Sequence, residues 1–395
     1  MDRDVAASDD ADLPAHHVRN AGMFGPRFQN PFPEWRFPTL SELWKVLCTK
    51  IDGSRMIVDR LTKGGGSKLV GNAAPTEADF LRAFPTEDVD VDGMRSGPPG
   101  GGVQVTWLGH SSCLVQLGGV SFLTDPVFAE RASPVQWFGP KRVVPCPLDL
   151  DALSDDELPP LDFVVISHSH YDHLCLPTCR QLSRRYGASI TFYVPLGLRE
   201  WFARNVPGAV AVELDWWETV EHNGVRVVCA PAQHWSNRSP LDRDRTLWAS
   251  WAVLGPGAGE RFWFAGDTGY SKTLVEDLRA HLAPLDVCAI PIGAYEPFWF
   301  MEPQHVDPAH AVRIHAELGA RASFGIHCCT FNLAMEPLDE PPMRLEKEVV
   351  SQGLDPGAFV VLTQGRLDRR WARASAAQRS NPSAVESSAV NVAAD

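Results

Sequence analysis

The stretch Ser167-His168-Ser169-His170-Tyr171-Asp172-His173 puts three imidazoles and a carboxylate within six residues. Neutral imidazole and carboxylate are common ligands of divalent transition ions, and two neighbouring ions can share such a cluster. Burying these groups without an ion leaves several polar atoms to satisfy. Exposing them requires no such spacing. The pattern H-x-H-x-D-H therefore points to metal binding. The residues just before it, Phe163-Val164-Val165-Ile166, are short-range apolar, β-branched and preceded by Pro159-Pro160. That pattern reads as a buried strand that ends at the cluster.

Similar chemistry recurs wherever later apolar runs end. His234 follows the run 225–229. Asp267 stands in Ala265-Gly266-Asp267-Thr268-Gly269-Tyr270, where small residues allow close backbone approach to an ion. His327 follows the run 322–326. His168, His170, Asp172, His173, His234, Asp267 and His327 are thus expected at strand exits on one edge of a sandwich. Two adjacent metals account for such a set economically. Asp125 closes a hairpin signature, 113–117 and 120–124 around Gly118-Gly119. It reads equally as support for a metal-bound imidazole or as a turn residue.

The elements that must carry these groups alternate along the chain. Strands are expected at 103–108, 163–166, 190–194, 210–214, 225–229, 247–254, 261–264, 287–291 and 322–326. Helices are expected at 39–47, near 77–84, and at 177–186, 196–205 and 308–318, the last capped by Asp307. The predicted organisation is a disordered segment 1–20, an aromatic and Pro-rich arm with a Gly-rich connector at 21–102, a catalytic domain at 103–366 and a disordered tail at 367–395. His16 and His17 have no ligand context in the sequence and read as surface or packing residues.

Composition narrows the function classes. The 395 residues carry a formal net charge of −13. No global basic footprint for nucleic acid exists. Nine cysteines, an odd number scattered through a long chain, suit reduced thiols in a cytosolic setting. No secretory signal and no apolar run of about 18 residues is visible. The expectation is a cytoplasmic protein, with aromatic segments around Trp137-Phe138, Phe298-Trp299-Phe300 and the arm available for peripheral membrane contact.

The H-x-H-x-D-H motif, the later strand-end histidines and the Gly-Asp-Thr-Gly element resemble the metallo-β-lactamase superfamily. Finer motifs include Thr106-Trp107-Leu108-Gly109-His110, Gly139-Pro140-Lys141-Arg142, Gln233-His234-Trp235 and Gln304-His305-Val306-Asp307-Pro308. They are similar to the N-acylphosphatidylethanolamine-hydrolysing phospholipase D family over roughly residues 28–366. The resemblance implies an α/β fold, a four-layer αββα sandwich, with two Zn²⁺ ions at one edge. It implies that His168, His170 and His234 hold one ion, that Asp172, His173 and His327 hold the other, and that Asp267 bridges them. Asp267 and Asp172 would serve catalysis. Gln304, His305, Tyr171 and Tyr295 would contact substrate, with His110 lining the pocket. Alternatively, Gln304-His305 caps the following helix. The implied reaction cleaves an N-acylated phospholipid to an N-acylethanolamine and phosphatidic acid, in an enzyme that meets membranes peripherally and forms a homodimer. Cys328-Cys329 departs from the Trp-Gly of animal members. Competing readings are a lactonase- or nuclease-like hydrolase of the same sandwich and a noncatalytic metal-dependent scaffold.

Overall fold

The computed structural model describes residues 14–18, 27–48, 50–51, 55–56, 77–157, 159–257 and 259–372. Two seven-stranded sheets form the centre. The first runs in the order Val210–Leu214, Thr191–Pro195, Phe163–Val165, Val120–Thr124, Ser112–Leu117, Gly102–Gly109, Leu367–Ala372. The second runs Thr219–His222, Val225–Ala230, Ser250–Leu254, Arg261–Phe264, Val287–Pro291, Ala322–Ile326, Phe359–Val360.

Side-chain alternation explains the layering. Phe163 and Val165 join the core shared by the two sheets, while Val164 and Ile166 join a second core under the helices. Val103, Val105 and Trp107 likewise face the shared core, and Leu108 the other. Leu182 and Phe202, from the helices Leu176–Tyr186 and Arg199–Asn205, cover the outside of the first sheet. Leu278, Val312 and Leu345, from Lys272–Leu282, Pro308–Leu318 and Glu340–Ser351, cover the second. The expected αββα sandwich is the result.

A buried tryptophan ties the sheets together through its indole N–H group. Trp251 Nε1 donates to the Ile166 carbonyl at 2.9 Å, so the second sheet grips the first immediately before the ligand loop.

Local departures from the expected elements have physical reasons. The helix expected from 196 starts at Arg199. Gly197 adopts φ +90°, and a Cβ there would lie 2.8 Å from the Arg245 carbonyl, so the chain must turn first. The strand expected from 247 starts at Ser250, because the Ala249 N–H donates to the Ser167 carbonyl. The domain does not stop at 366. Leu367–Ala372 pairs antiparallel with Gly102–Gly109 as an edge strand, which corrects the start of the expected tail. Residues 14–18 are likewise ordered: His17–Val18 pairs with Arg27–Phe28. The remaining expectations for 1–13, 19–20, 57–76 and 373–395 fall outside the described residues.

Candidate metal centre

Strands of both sheets end at one edge, and the chemistry collects there. The parallel strands Val120–Thr124 and Phe163–Val165 deliver Asp125 and the loop 167–173. Val225–Ala230, Arg261–Phe264 and Ala322–Ile326 run the same way and deliver His234, Asp267 and His327. His110 follows Gly102–Gly109. Several of these exits are strained: His110 (φ 53°), Asp125 (φ 33°), Ala294 (φ 63°) and His327 (φ 59°) are non-glycine residues in the left-handed region. Such residues are uncommon and concentrate at functional sites.

The seven expected ligands converge. His170 Nδ1 lies 2.7 Å from His168 Nε2 and 3.2 Å from His234 Nε2. On the other side, Asp172 Oδ2 lies 3.4 Å from both His173 Nε2 and His327 Nε2. Asp267 Oδ2 stands between the two groups. It is 3.0 Å from His173 Nε2, 3.1 Å from His327 Nε2, 3.8 Å from His234 Nε2 and 3.9 Å from His168 Nε2.

The donor set fits divalent cations. Three ring nitrogens face one another in the first group, where at most a fraction of them could carry a proton toward a partner. Buried His170 Nε2, His173 Nε2, His327 Nε2 and Asp267 Oδ1 have no hydrogen-bond partner. Buried polar atoms left in this state are costly unless something else binds them. Four overlapping metal-sized groupings lie here: His168-His170-His234, His110-Asp172-His173-His327, Asp125-His168-His173 and His234-Asp267-His305. The first two contain the residues expected around each ion, the second with His110 added.

A second layer of contacts aims the ligands. Asp125 is wholly buried and its Oδ2 lies 2.6 Å from His173 Nδ1. Its carboxylate also accepts from the Ser167 N–H and hydroxyl. Asp125 is therefore the ligand support, not merely a turn residue. His234 Nδ1 donates to the Gln304 carbonyl at 3.0 Å, which leaves Nε2 free to face the cluster. Gly266 serves closeness to protein and not to an ion: a Cβ there would meet Ser167 Cβ at 2.7 Å.

The electrostatics divide the site. Burial, followed by the neighbouring imidazoles, pushes His168 well down. Burial likewise brings His170 to about 4 and lowers His234. Burial also opposes charge on His173 and His327, but there the surrounding carboxylates outweigh it. His173 is raised well above its ordinary value, and His327 rises to about 9. Asp172 and Asp267, which burial alone would raise, are held well below the usual carboxylate range by those histidines.

The remaining predicted residues fare differently. His305 is buried, with Nδ1 3.9 Å from Asp267 Oδ2 and no hydrogen-bond partner for that nitrogen. Gln304 lies alongside, its Oε1 accepting from Trp235 Nε1. Neither caps the following helix: Asp307 does, accepting from the His310 N–H. Tyr171 spends its hydroxyl on the Arg238 carbonyl, under the Arg238 guanidinium. Tyr295 is not brought to the cluster. It is fully buried and its hydroxyl donates to Glu340. His110 does reach the ligands, with Nε2 3.1 Å from Asp172 Oδ2. Ser167 was not anticipated, because a serine preceding a histidine carries no distinctive signal. Nor was Asn30, whose side chain donates to the His234 carbonyl from the arm.

Residues 121–328 match the family model described as a beta-lactamase superfamily domain. The chain is 39% identical over 294 residues to the N-acyl-phosphatidylethanolamine-hydrolyzing phospholipase D 1 of Caenorhabditis elegans, covering 72% of this chain and 80% of that protein. It is 31% identical over 345 residues to the mitochondrial N-acyl-phosphatidylethanolamine-hydrolyzing phospholipase D of Saccharomyces cerevisiae, covering 81% and 70%. Among solved structures, an isothiocyanate hydrolase from Delia radicum gut bacteria superposes with a TM-score of 0.51 at 16% identity, over 68% of this chain and all of that one, a likeness of fold.

Proposed function

Because the chain belongs to the N-acyl-phosphatidylethanolamine-hydrolysing phospholipase D family of metal-dependent hydrolases, within the β-lactamase superfamily, we propose that it hydrolyses N-acylphosphatidylethanolamine to an N-acylethanolamine and phosphatidic acid. The observation that carries this reading is the clustering of seven histidine and aspartate side chains, four of whose histidines lie within 3.9 Å of Asp267 Oδ2.

His168, His170 and His234 would hold one Zn²⁺, and Asp172, His173 and His327 the other, with Asp267 common to both. Zinc held there supplies an acidified water for attack at phosphorus and neutralises phosphate charge. The protein does the rest. Asp125 holds His173 by Nδ1 and the Gln304 carbonyl holds His234 by Nδ1, so both rings present Nε2. Asp267, with one oxygen unpartnered, can accept a hydrogen bond from the attacking water. Burial keeps His305 neutral, lowered to about 4, and its free nitrogen beside Asp267 suits a hydrogen bond to the phosphodiester or the departing alkoxide. A cavity of about 160 Å³ lined by Gln233, Tyr270, Phe298, His305 and His310 adjoins this point and can receive part of the substrate.

A lipid substrate needs a route from a bilayer. Among the described residues no helix is long and apolar enough to cross one. Exposed Leu40 and Trp44 lie one helical turn apart on Leu40–Cys48, beside the site: Lys45 of that helix covers the Trp299 ring. Trp137 and Phe138 are exposed on the loop whose Arg142 lies against Phe331, a neighbour of His110. These aromatics would seat the enzyme peripherally on a membrane. A homodimer, the assembly implied by the family resemblance, is checked by sedimentation.

The deciding experiment offers defined N-acylphosphatidylethanolamine, a sugar lactone and RNA to protein of measured metal content, with products identified by mass spectrometry. The reading expects N-acylethanolamine from the first alone. Hydrolysis of the lactone or RNA in its place would assign another reaction to the same sandwich. Inertness of metal-replete protein on all three would favour a scaffold.

A further inference from the structure

Away from the strand-exit cluster, the described residues hold a second convergence of imidazoles on a carboxylate. His16 and His17 stand on the N-terminal arm, and Asp215 directly follows the strand Val210–Leu214. His16 Nε2 lies 2.7 Å from Asp215 Oδ1, and His17 Nε2 lies 2.8 Å from Oδ2. The three residues can each offer a ligand atom within 4.8 Å of the others. Aromatic neighbours fix both rings. His16 stacks on Trp216 with centroids 4.2 Å apart, and His17 meets Phe28 edge-on at 5.2 Å.

The two histidines are not equivalent. His16 Nε2 makes a hydrogen bond to the carboxylate. His17 Nε2, although equally near, is buried without a partner in hydrogen-bond geometry. A proton on that nitrogen would miss its acceptor, whereas a lone pair would face the space shared by the three donors.

We propose that His16, His17 and Asp215 form a further metal site, separate from the catalytic centre and independent of the substrate reading, that takes one borderline divalent ion such as Zn²⁺. Two imidazole nitrogens and a carboxylate oxygen are a common zinc donor set, and water completes the shell from the half-open side, where the His17 and Asp215 side chains are 23% and 18% exposed. Donors on a tetrahedral ion stand about 3.3 Å apart, so the two rings open by about half an ångström on loading. The ion staples the arm to the end of the strand Val210–Leu214, across 199 residues of sequence. The staple bears on the catalytic edge by a short path. The Gln29 N–H donates to the His16 carbonyl, and the next residue, Asn30, donates to the carbonyl of His234.

The test counts ions. Full-length protein with its catalytic centre loaded is dialysed against stepwise free Zn²⁺, and metal per chain is measured for wild type and His16→Ala/His17→Ala. Wild type is expected to take one ion more, to gain thermal stability at that step, and with Co²⁺ alone to develop an absorption band that the variant lacks. The variant should retain the catalytic ions and turnover on any substrate the enzyme accepts. Equal counts in the two proteins overturn the proposal and leave a hydrogen-bonded clasp. Should the double variant not fold, Asp215→Asn is counted instead: loss of the same single ion supports the site, and its retention overturns it. Failure on the phospholipid substrate, with the extra ion present, would touch only the functional reading above.

Discussion

The two halves of the candidate centre share Asp267 and differ in how they hold protons. His168, His170 and His234 face one another, and burial outweighs the nearby carboxylates and keeps all three neutral. His173 and His327 are buried as deeply, but Asp172 and Asp267 lie 3.0–3.4 Å from their Nε2 atoms and shift both rings toward the protonated form. The ring is the same and so is the burial. Nearby anions decide whether it waits as a ligand or as an acid. One half is ready for a cation, and the other must first release protons.

Asp267→Asn should break the comparison altogether, since it removes the anion both halves use. Turnover is expected to fall by about 10³-fold or more, as for loss of a group common to both metals. His173 and His327 should lose much of their elevation. Steady-state rates, metal content and the imidazole resonances of the two histidines check this on protein verified to be folded. Turnover within tenfold of wild type would exclude a bridging role.

Asp125→Asn should separate the halves. Asp125 touches His173 and, through Ser167, only the back of His168, whose Nδ1 is 2.8 Å from the Ser167 hydroxyl. Loss of such a supporting carboxylate costs about 10–100-fold in metal affinity. The cost should fall on the ion that Asp172, His173 and His327 would hold. Competition with a graded chelator resolves the two affinities, and an equal loss at both would show that the halves are not independent.

Much of this site was legible before any fold was known, for a reason that the halves make plain. Ligand side chains are reactive types placed at strand exits, so their identity and their flanking apolar runs both survive in the linear sequence. What decided protonation did not survive. Nothing in the sequence says that Asp172 is nearer to His327 than to His234, because that depends on which strand lies beside which. Support contacts were half visible. Asp125 was nameable as a candidate, but Gln304 works on His234 through its backbone carbonyl, to which side-chain identity is silent. The fold followed the same division. Val164 and Val165 alternate between two cores and were readable as strand, whereas Leu367–Ala372 is charged along its exposed edge, so Arg369 and Arg370 disguised a strand that Trp371 anchors against Phe324. The histidines of the arm carried no flanking strand pattern at all, and only the tertiary approach of Asp215 gave them a partner.

Proton release sharpens the contrast without mutation. At pH 7, a His327 raised to about 9 is protonated, and an ion needs its lone pair. Loading the second half should therefore release about one proton or more, and its affinity should rise with pH from 7 to about 9. The first half should release none, because His170 at about 4 is already neutral. Its affinity should stay flat from pH 7 to 9 and decline only toward pH 4. Calorimetric titration in buffers of different ionisation enthalpy measures both counts. Equal release at the two steps would contradict the assigned protonation.

The finest distinction concerns His110, which belongs to the second half by position but not by charge. Burial and the neighbouring His327 push it down to about 3, so it is neutral and its Nε2–H can donate to Asp172 Oδ2. A nitrogen that donates there cannot also ligate through the same atom, and its Nδ1 faces no partner. His110 is then a positioning residue that fixes the Asp172 carboxylate. His110→Gln, which can still donate an N–H, should lower affinity at the second half by about fivefold, the ~1 kcal/mol of one hydrogen bond held less well. It should leave the first half unchanged and shift no pH dependence. If His110 were itself a ligand, the same variant would cost the second ion far more than this, because glutamine offers no imidazole nitrogen to replace it.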